Sequence, residues 1–297
     1  MDTTLLKAAL PSIPFVNRLP GIRKTGGDPS TLREVRTATP TREHVSAYAA
    51  VCGFPIKDTV PLTFPHVLAF PLHMAVLSST SFPFPAIGTL HLANTITQHR
   101  RIEVGESLLL EVHTSPVRPH PKGNAVDFLA VATVDGEKVW ESTSTYLRRG
   151  RPDVVSTGST DATGSTDATG STDVAGSTDG LSAVPGRITW RLGGDVGRRY
   201  AAVSGDHNPI HVSALAAKAF GFPRHIAHGM WSLARCVGAL ENRIPDVVTV
   251  DAAFRKPILL PGSVAFGRDP VSDGIAFALT SPRDGAAHLL GRTRAAG

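Results

Sequence analysis

The chain of 297 residues has only two cysteines, Cys52 and Cys236, far apart and each among apolar neighbours. That excludes a disulfide framework and a thiolate zinc site, and it fits a reducing compartment. Aromatic residues make up 6%, so Leu, Val, Ala and Ile must fill the cores. Long apolar runs are missing too. Val67 to Leu77 is broken by Pro71 and His73 and is too short to cross a bilayer. The start, Met1-Asp-Thr-Thr-Leu-Leu-Lys7, has no basic region ahead of an apolar stretch, so no secretory signal is expected. Charge of one sign is not concentrated. The net charge is +5, but the basic groups at Arg18 to Lys24, Arg100-Arg101, Arg148 to Arg151 and Arg198-Arg199 are scattered. They do not interleave with stacking aromatics, which argues against nucleic acid. A mildly basic surface leaves room for an anionic partner, such as a phosphate-bearing cofactor or an acidic carrier. The composition therefore predicts a soluble cytoplasmic protein.

Its length suits two domains. Between them, residues 151–182 repeat Ser-Thr-Asp-Ala-Thr-Gly with drift. Such a segment cannot bury enough surface to offset the entropy of ordering, so it reads as a linker. The expected division is residues 1–150, a linker at 151–182, and residues 183–297. The halves look duplicated. Tyr48-Ala-Ala-Val-Cys-Gly53 matches Tyr200-Ala-Ala-Val-Ser-Gly205. Arg100-Arg101-Ile102 then answers Arg255-Lys256-Pro257, and Gly105 answers Gly262. Each half starts with a short helix and an apolar helix and continues as strands, an α+β pattern. Asp135-Gly136 between Asn124 to Val134 and Glu137 to Tyr146 is a hairpin signal. Strands are expected at Val247 to Phe254, Val264 to Arg268, Ile275 to Thr280 and His288 to Thr293. Ile226 to Leu240 is apolar nearly all round, as a helix wrapped by a curved sheet would be.

Chemistry concentrates in the second half. Gly205 should stop one helix and Pro209 should fix a bend. Asp206, Asn208 and His211 lie on that bend, ahead of a helix expected over Val212 to Phe220. Taken alone, this is also common turn chemistry with a capping Asp. The companion segment Ile226-Ala227-His228-Gly229-Met230 changes the balance. It sets Gly229 near a helix N-terminus, where free N–H groups and the helix dipole favour negative charge. His207 and His211 are four apart, but Pro209 between them argues against a shared helical face, and no metal is expected. His228, at the helix start, serves either the substrate or the structure. Ser204 lacks the surroundings of a nucleophile elbow.

The run Ser204-Gly-Asp-His-Asn-Pro-Ile-His211 with Ile226 to Met230 resembles the signature of MaoC-like dehydratases, the (R)-specific enoyl-thioester hydratases. The resemblance implies a hotdog fold, here a double hotdog. It implies that Asp206 and His211 hold and deprotonate the water that adds to the β-carbon of a trans-2-enoyl thioester. Asn208 would orient the pair, and the Gly229 N–H would bind the thioester carbonyl. Arg255 and Lys256 would meet the phosphates of coenzyme A, with solvated strand-end charge as the alternative. The implied partner is an acyl-CoA or acyl-carrier thioester, with no cofactor and room for a homodimer. A hotdog thioesterase or a non-catalytic acyl-carrier binder are the competing readings.

In the first half Phe54 to His66 has no Asp-x-Asn-Pro-x-His, and Pro71-Leu72-His73-Met74 stands where the second half has Ala227 to Met230, without the glycine. This half is expected to lack a site of its own. Phe64, Phe70, Phe82 and Phe84 then read either as a wall for an acyl chain or as core.

Overall fold

The computed structural model describes residues 27–85, 88–150 and 180–296. Residues 151–179 of the expected linker and the Arg18 to Lys24 group lie outside the described residues. After a short turn at Pro29–Thr31, the first half runs β1 (Arg33–Ala38), α1 (Arg42–Cys52), α2 (Phe64–Ser78), β2 (Thr89–Gln98), β3 (Leu108–Thr114), β4 (Arg118–His120), β5 (Gly123–Val134) and β6 (Glu137–Arg149). The second runs β7 (Ile188–Leu192), α3 (Val196–Ser204), α4 (Pro209–Val212), α5 (Ala214–Ala219), α6 (Gly229–Leu240), β8 (Val248–Phe254), β9 (Gly262–Val271), β10 (Gly274–Thr280) and β11 (Ala287–Ala295).

One antiparallel sheet holds all the strands in the order β1-β3-β5-β6-β2-β8-β11-β10-β9-β7, with the short β4 beside β5. The order is a palindrome. Reading outward from the β2·β8 seam, each strand of one half has its counterpart in the other. The duplication written in the two Tyr-Ala-Ala-Val units is thus written again in the topology, and the fold is an α+β double hotdog. The two units themselves meet: Tyr48 and Tyr200, both buried, have ring centroids 6.2 Å apart. Each unit ends its helix on a left-handed glycine, Gly53 at φ 75° and Gly205 at φ 74°, a conformation that costs glycine little.

The seam is polar as well as paired. Thr95 Oγ1 donates to Asp251 Oδ1 at 3.0 Å, and Thr97 and Thr249 hydroxyls meet at 3.0 Å. The carboxylate of Asp251 is fully buried and receives Arg292 Nε at 3.2 Å and Arg294 Nε at 3.0 Å. Elsewhere the Asp135-Gly136 turn has φ values of 50° and 83°, the positive pair that a tight two-residue hairpin requires.

Three expectations need correction. The central helix of the second half starts at Gly229, three residues later than Ile226. The Ile226 segment is extended instead, bridging to Leu259, with the Ala227 N–H on the Ile258 carbonyl at 2.9 Å. The stretch Val212 to Phe220 is not one helix. Ser213 is extended (φ −132°, ψ 123°), closes α4, and caps α5 by accepting the Ala216 N–H at 3.3 Å. Pro71 to Met74 lies inside α2, which begins seven residues earlier at Phe64. The position that answers Gly229 is therefore the start of α2, where no glycine stands either.

Candidate active site

Gly205 turns the chain out of α3 so that the next residues fold back on themselves. Asp206 donates its N–H to Ser204 Oγ at 3.2 Å, and its Oδ1 accepts the Asn208 N–H at 3.1 Å. Asn208 Oδ1 in turn accepts the Ile210 N–H at 3.4 Å, capping the single turn of α4 that carries His211. Asn208 thus sets the bend on which Asp206 and His211 sit. The two signature segments are clasped together: the Ile226 N–H donates to the Ile210 carbonyl at 3.1 Å, and His211 Nδ1 lies 2.9 Å from the Ile226 carbonyl. A carbonyl only accepts, so Nδ1 carries the proton and Nε2 of the neutral ring keeps its lone pair.

His228 completes the cluster. Its Nε2 donates to the Asp206 carbonyl at 3.0 Å, and its ring stacks on His211 with centroids 3.7 Å apart. Asp206, His211 and His228 bring one side-chain donor atom each to within 4.8 Å of one another. Two of the ring nitrogens are already spent on backbone carbonyls, so the cluster is arranged for proton transfer between oxygen and nitrogen. Burial pulls the His211 pKa below the usual histidine value against the opposing pull of Asp206. Burial, with the neighbouring His211, holds His228 well below it. Both rings are neutral near pH 7.

Gly229 is the first residue of α6, and the first N–H groups of a helix have no partner within it. A Cβ here would sit 3.2 Å from the Phe254 ring. Glycine lets the helix start pack against Phe254. Arg255 and Lys256 follow β8 and are anchored through their backbones, which donate to the His288 and Ala287 carbonyls at 2.9 and 3.2 Å. Both border the same cavity as Asp206 and His211.

That cavity, about 1200 Å³, is shared by the two halves. On the first-half side α2 presents His66, Phe70, Met74 and Leu77, spaced as one helical stripe. Of the four phenylalanines read as either wall or core, only Phe70 lines the cavity. Phe64, Phe82 and Phe84 are buried in the core. Sequence reasoning missed His66, His91 and Tyr146, which face the cavity from α2, β2 and β6, and the cations Lys122 and Arg149. One signal was available: His66 heads an otherwise apolar helical stripe.

A model of the MaoC like domain matches residues 189–268. The chain is 33% identical to 3-hydroxyacyl-thioester dehydratase X of Mycobacterium tuberculosis over 290 residues, 98% of this chain and 96% of the relative. The crystal structure of HtdX from Mycobacterium tuberculosis superposes with a TM-score of 0.73 at 33% identity, covering 90% of this chain and 100% of that one. A MaoC-like dehydratase from Phytophthora capsici gives a TM-score of 0.71 at 17% identity over 90% of this chain and 96% of that one, a likeness of fold.

Proposed function

The chain belongs to the family of MaoC-like dehydratases, and from that premise we propose that it interconverts (3R)-hydroxyacyl and trans-2-enoyl thioesters in fatty acid metabolism. The observation that carries the reading is the close approach of the half-buried Asp206 carboxylate to the buried, neutral His211 imidazole, whose Nδ1 is held by the Ile226 carbonyl, beside the N-terminus of α6. One water is held between Asp206 and His211. As its oxygen bonds to C3, one water proton passes to the pair. The C2–C3 π electrons move toward the thioester carbonyl, whose oxygen gathers charge against the Gly229 N–H. A proton then returns from the pair to C2 on the same face. Water is added syn and one hand of product results; dehydration runs the same steps backward. General acid–base groups contribute roughly 10² to 10⁴ in rate and one oxyanion donor about 10² to 10³. Asn208 and His228 act through Asp206 and His211, the first by capping α4 and the second by stacking and by holding the Asp206 backbone.

In this reading residues 183–297 carry the chemistry and residues 1–150 the acyl chain. From His66 to Leu77 the stripe on α2 advances about 16 Å at 1.5 Å per residue, enough for an extended chain of on the order of twelve carbons. The cations Lys122, Arg149, Arg255 and Lys256 border the cavity and suit a phosphate-bearing carrier, coenzyme A or acyl carrier protein. Among the described residues no helix is long and apolar enough to cross a membrane. The two cysteines are buried and unpaired, which supports a cytoplasmic place. Incubation with trans-2-enoyl-CoA of graded length tests the assignment. Loss of the conjugated enoyl thioester with formation of (3R)-hydroxyacyl-CoA is expected. Release of free thiol without hydration would assign the loop to thioester hydrolysis instead.

A further inference from the structure

Three aromatic rings form a ladder on the first-half wall of the cavity. His66 and His91 stack at 6.3 Å with planes 21° apart, and His91 and Tyr146 stack at 4.6 Å with planes 23° apart. The outer rungs, His66 and Tyr146, border the cavity, as does His91 between them. Among the described residues neither has a hydrogen-bond partner. His66 is 3% exposed, and its Nδ1 is sealed in the protein and unpaired. No bond fixes its tautomer, so the edge it turns to the cavity can either donate or accept. Buried polar groups left without partners cost stability, and each requires an account. A phenylalanine at position 66 would continue the stripe of Phe70, Met74 and Leu77 without that cost.

We propose that His66 and Tyr146, with His91 between them, form a subsite for a neutral oxygen substituent, a hydroxyl or keto group, on the acyl chain beyond the reacting carbons. The proposal rests on the acyl-thioester reading of the site. Burial holds His66 at about 4, so it is neutral near pH 7, and burial raises the Tyr146 hydroxyl, which stays protonated. The pair therefore offers one O–H donor and one imidazole nitrogen and no charge. That inventory matches a hydroxyl or a ketone and has no positive charge to offset the desolvation of a carboxylate. The His91 ring lies 4.8 Å from that of Phe254, which packs against the start of α6 at Gly229, and this sets the subsite on the near side of the chain's path.

The experiment compares trans-2-enoyl-CoA substrates of one chain length: unsubstituted, with a hydroxyl or keto group walked along the chain, and with a terminal carboxylate. A hydroxyl or keto group at one position should raise kcat/KM about three- to tenfold over the unsubstituted chain, with the carboxylate below both. Tyr146→Phe removes a single oxygen, and His66→Phe fills the stripe; either should bring that ratio toward one. His66→Gln, which keeps a neutral donor and acceptor, should retain part of it. Turnover of the unsubstituted chain with no preference along the series would overturn the subsite alone. So would a preference that survives Tyr146→Phe and His66→Phe. No hydration of any thioester would overturn the functional reading and the subsite with it.

Discussion

His211 and Ile226 are joined by a hydrogen bond of 2.9 Å from imidazole Nδ1 to the backbone carbonyl. The bond ties His211 on one signature segment to the extended stretch that leads into α6 on the other, the two parts that the proposed function uses as base and oxyanion site. Its consequence is a fixed tautomer, with Nε2 unprotonated.

The pH dependence follows from burial. The His211 pKa lies below the usual histidine value, so the neutral base persists through pH 7 and is lost only on the acid side. The account predicts kcat/KM flat from neutral pH down to about 6.5 and falling below that. His211→Ala should abolish this limb and lower kcat/KM by about 10² to 10⁴. The measurement is a kcat/KM–pH profile of both proteins; an acid limb that survives in the variant would remove His211 from the base role.

Gly229→Ala sets a methyl group 3.2 Å from the Phe254 ring. Either ring or helix start must move, so kcat should fall by about 10² with little change in the unfolding temperature. Phe254→Leu in the same chain makes room and should restore part of the rate. Kinetics of the single and double variants check this, and a double variant no better than the single one would disconnect the ring from the effect.

In the proposed function the stripe on α2 sets chain length. Met74→Trp fills the cavity beyond Phe70 and should reduce kcat/KM for long enoyl chains by tenfold or more, about the discrimination that pocket volume supplies. Short chains that end before Met74 should keep most of their rate. A uniform loss at all lengths would place the acyl path elsewhere.

Acid should unfold the protein through its buried histidines. His66, held at about 4 mainly by burial, binds a proton more readily in the unfolded chain. Its neutral burial therefore gives full stability above pH 6.5, and the contribution is lost as pH falls from about 6.5 toward about 4. The slope is about 1.4 kcal/mol per pH unit for one histidine within that window. Urea unfolding at several pH values should show His66→Phe flatter than the parent by about that slope. Equal slopes would mean that His66 already takes up its proton in the folded state.

Legibility tracked sequence distance. The Asp135-Gly136 hairpin, the stop at Gly205, and the meeting of Asp206 with His211 are decided within a few residues by backbone preference, and all three could be read. The break at Ser213 was hidden because the alanine-rich stretch around it favours helix, and only the capping of Ala216 shows the serine serving both turns. Pro71 to Met74 looked like a degenerate copy of Ala227 to Met230 because both hold a His and a Met, yet the start of α2 at Phe64 puts them mid-helix. The ladder of His66, His91 and Tyr146 was out of reach. Those rings come from a helix and two strands, and only the assembled sheet makes them one wall.

The most direct test of the central claim is the kcat/KM of Asp206→Asn on a trans-2-enoyl-CoA substrate. The amide oxygen can still accept the Asn208 N–H that fixes the bend, so the charge is removed and the local fold is kept. The account predicts a loss of about 10² to 10⁴ with the unfolding temperature unchanged. Full activity in a folded Asp206→Asn protein would contradict it.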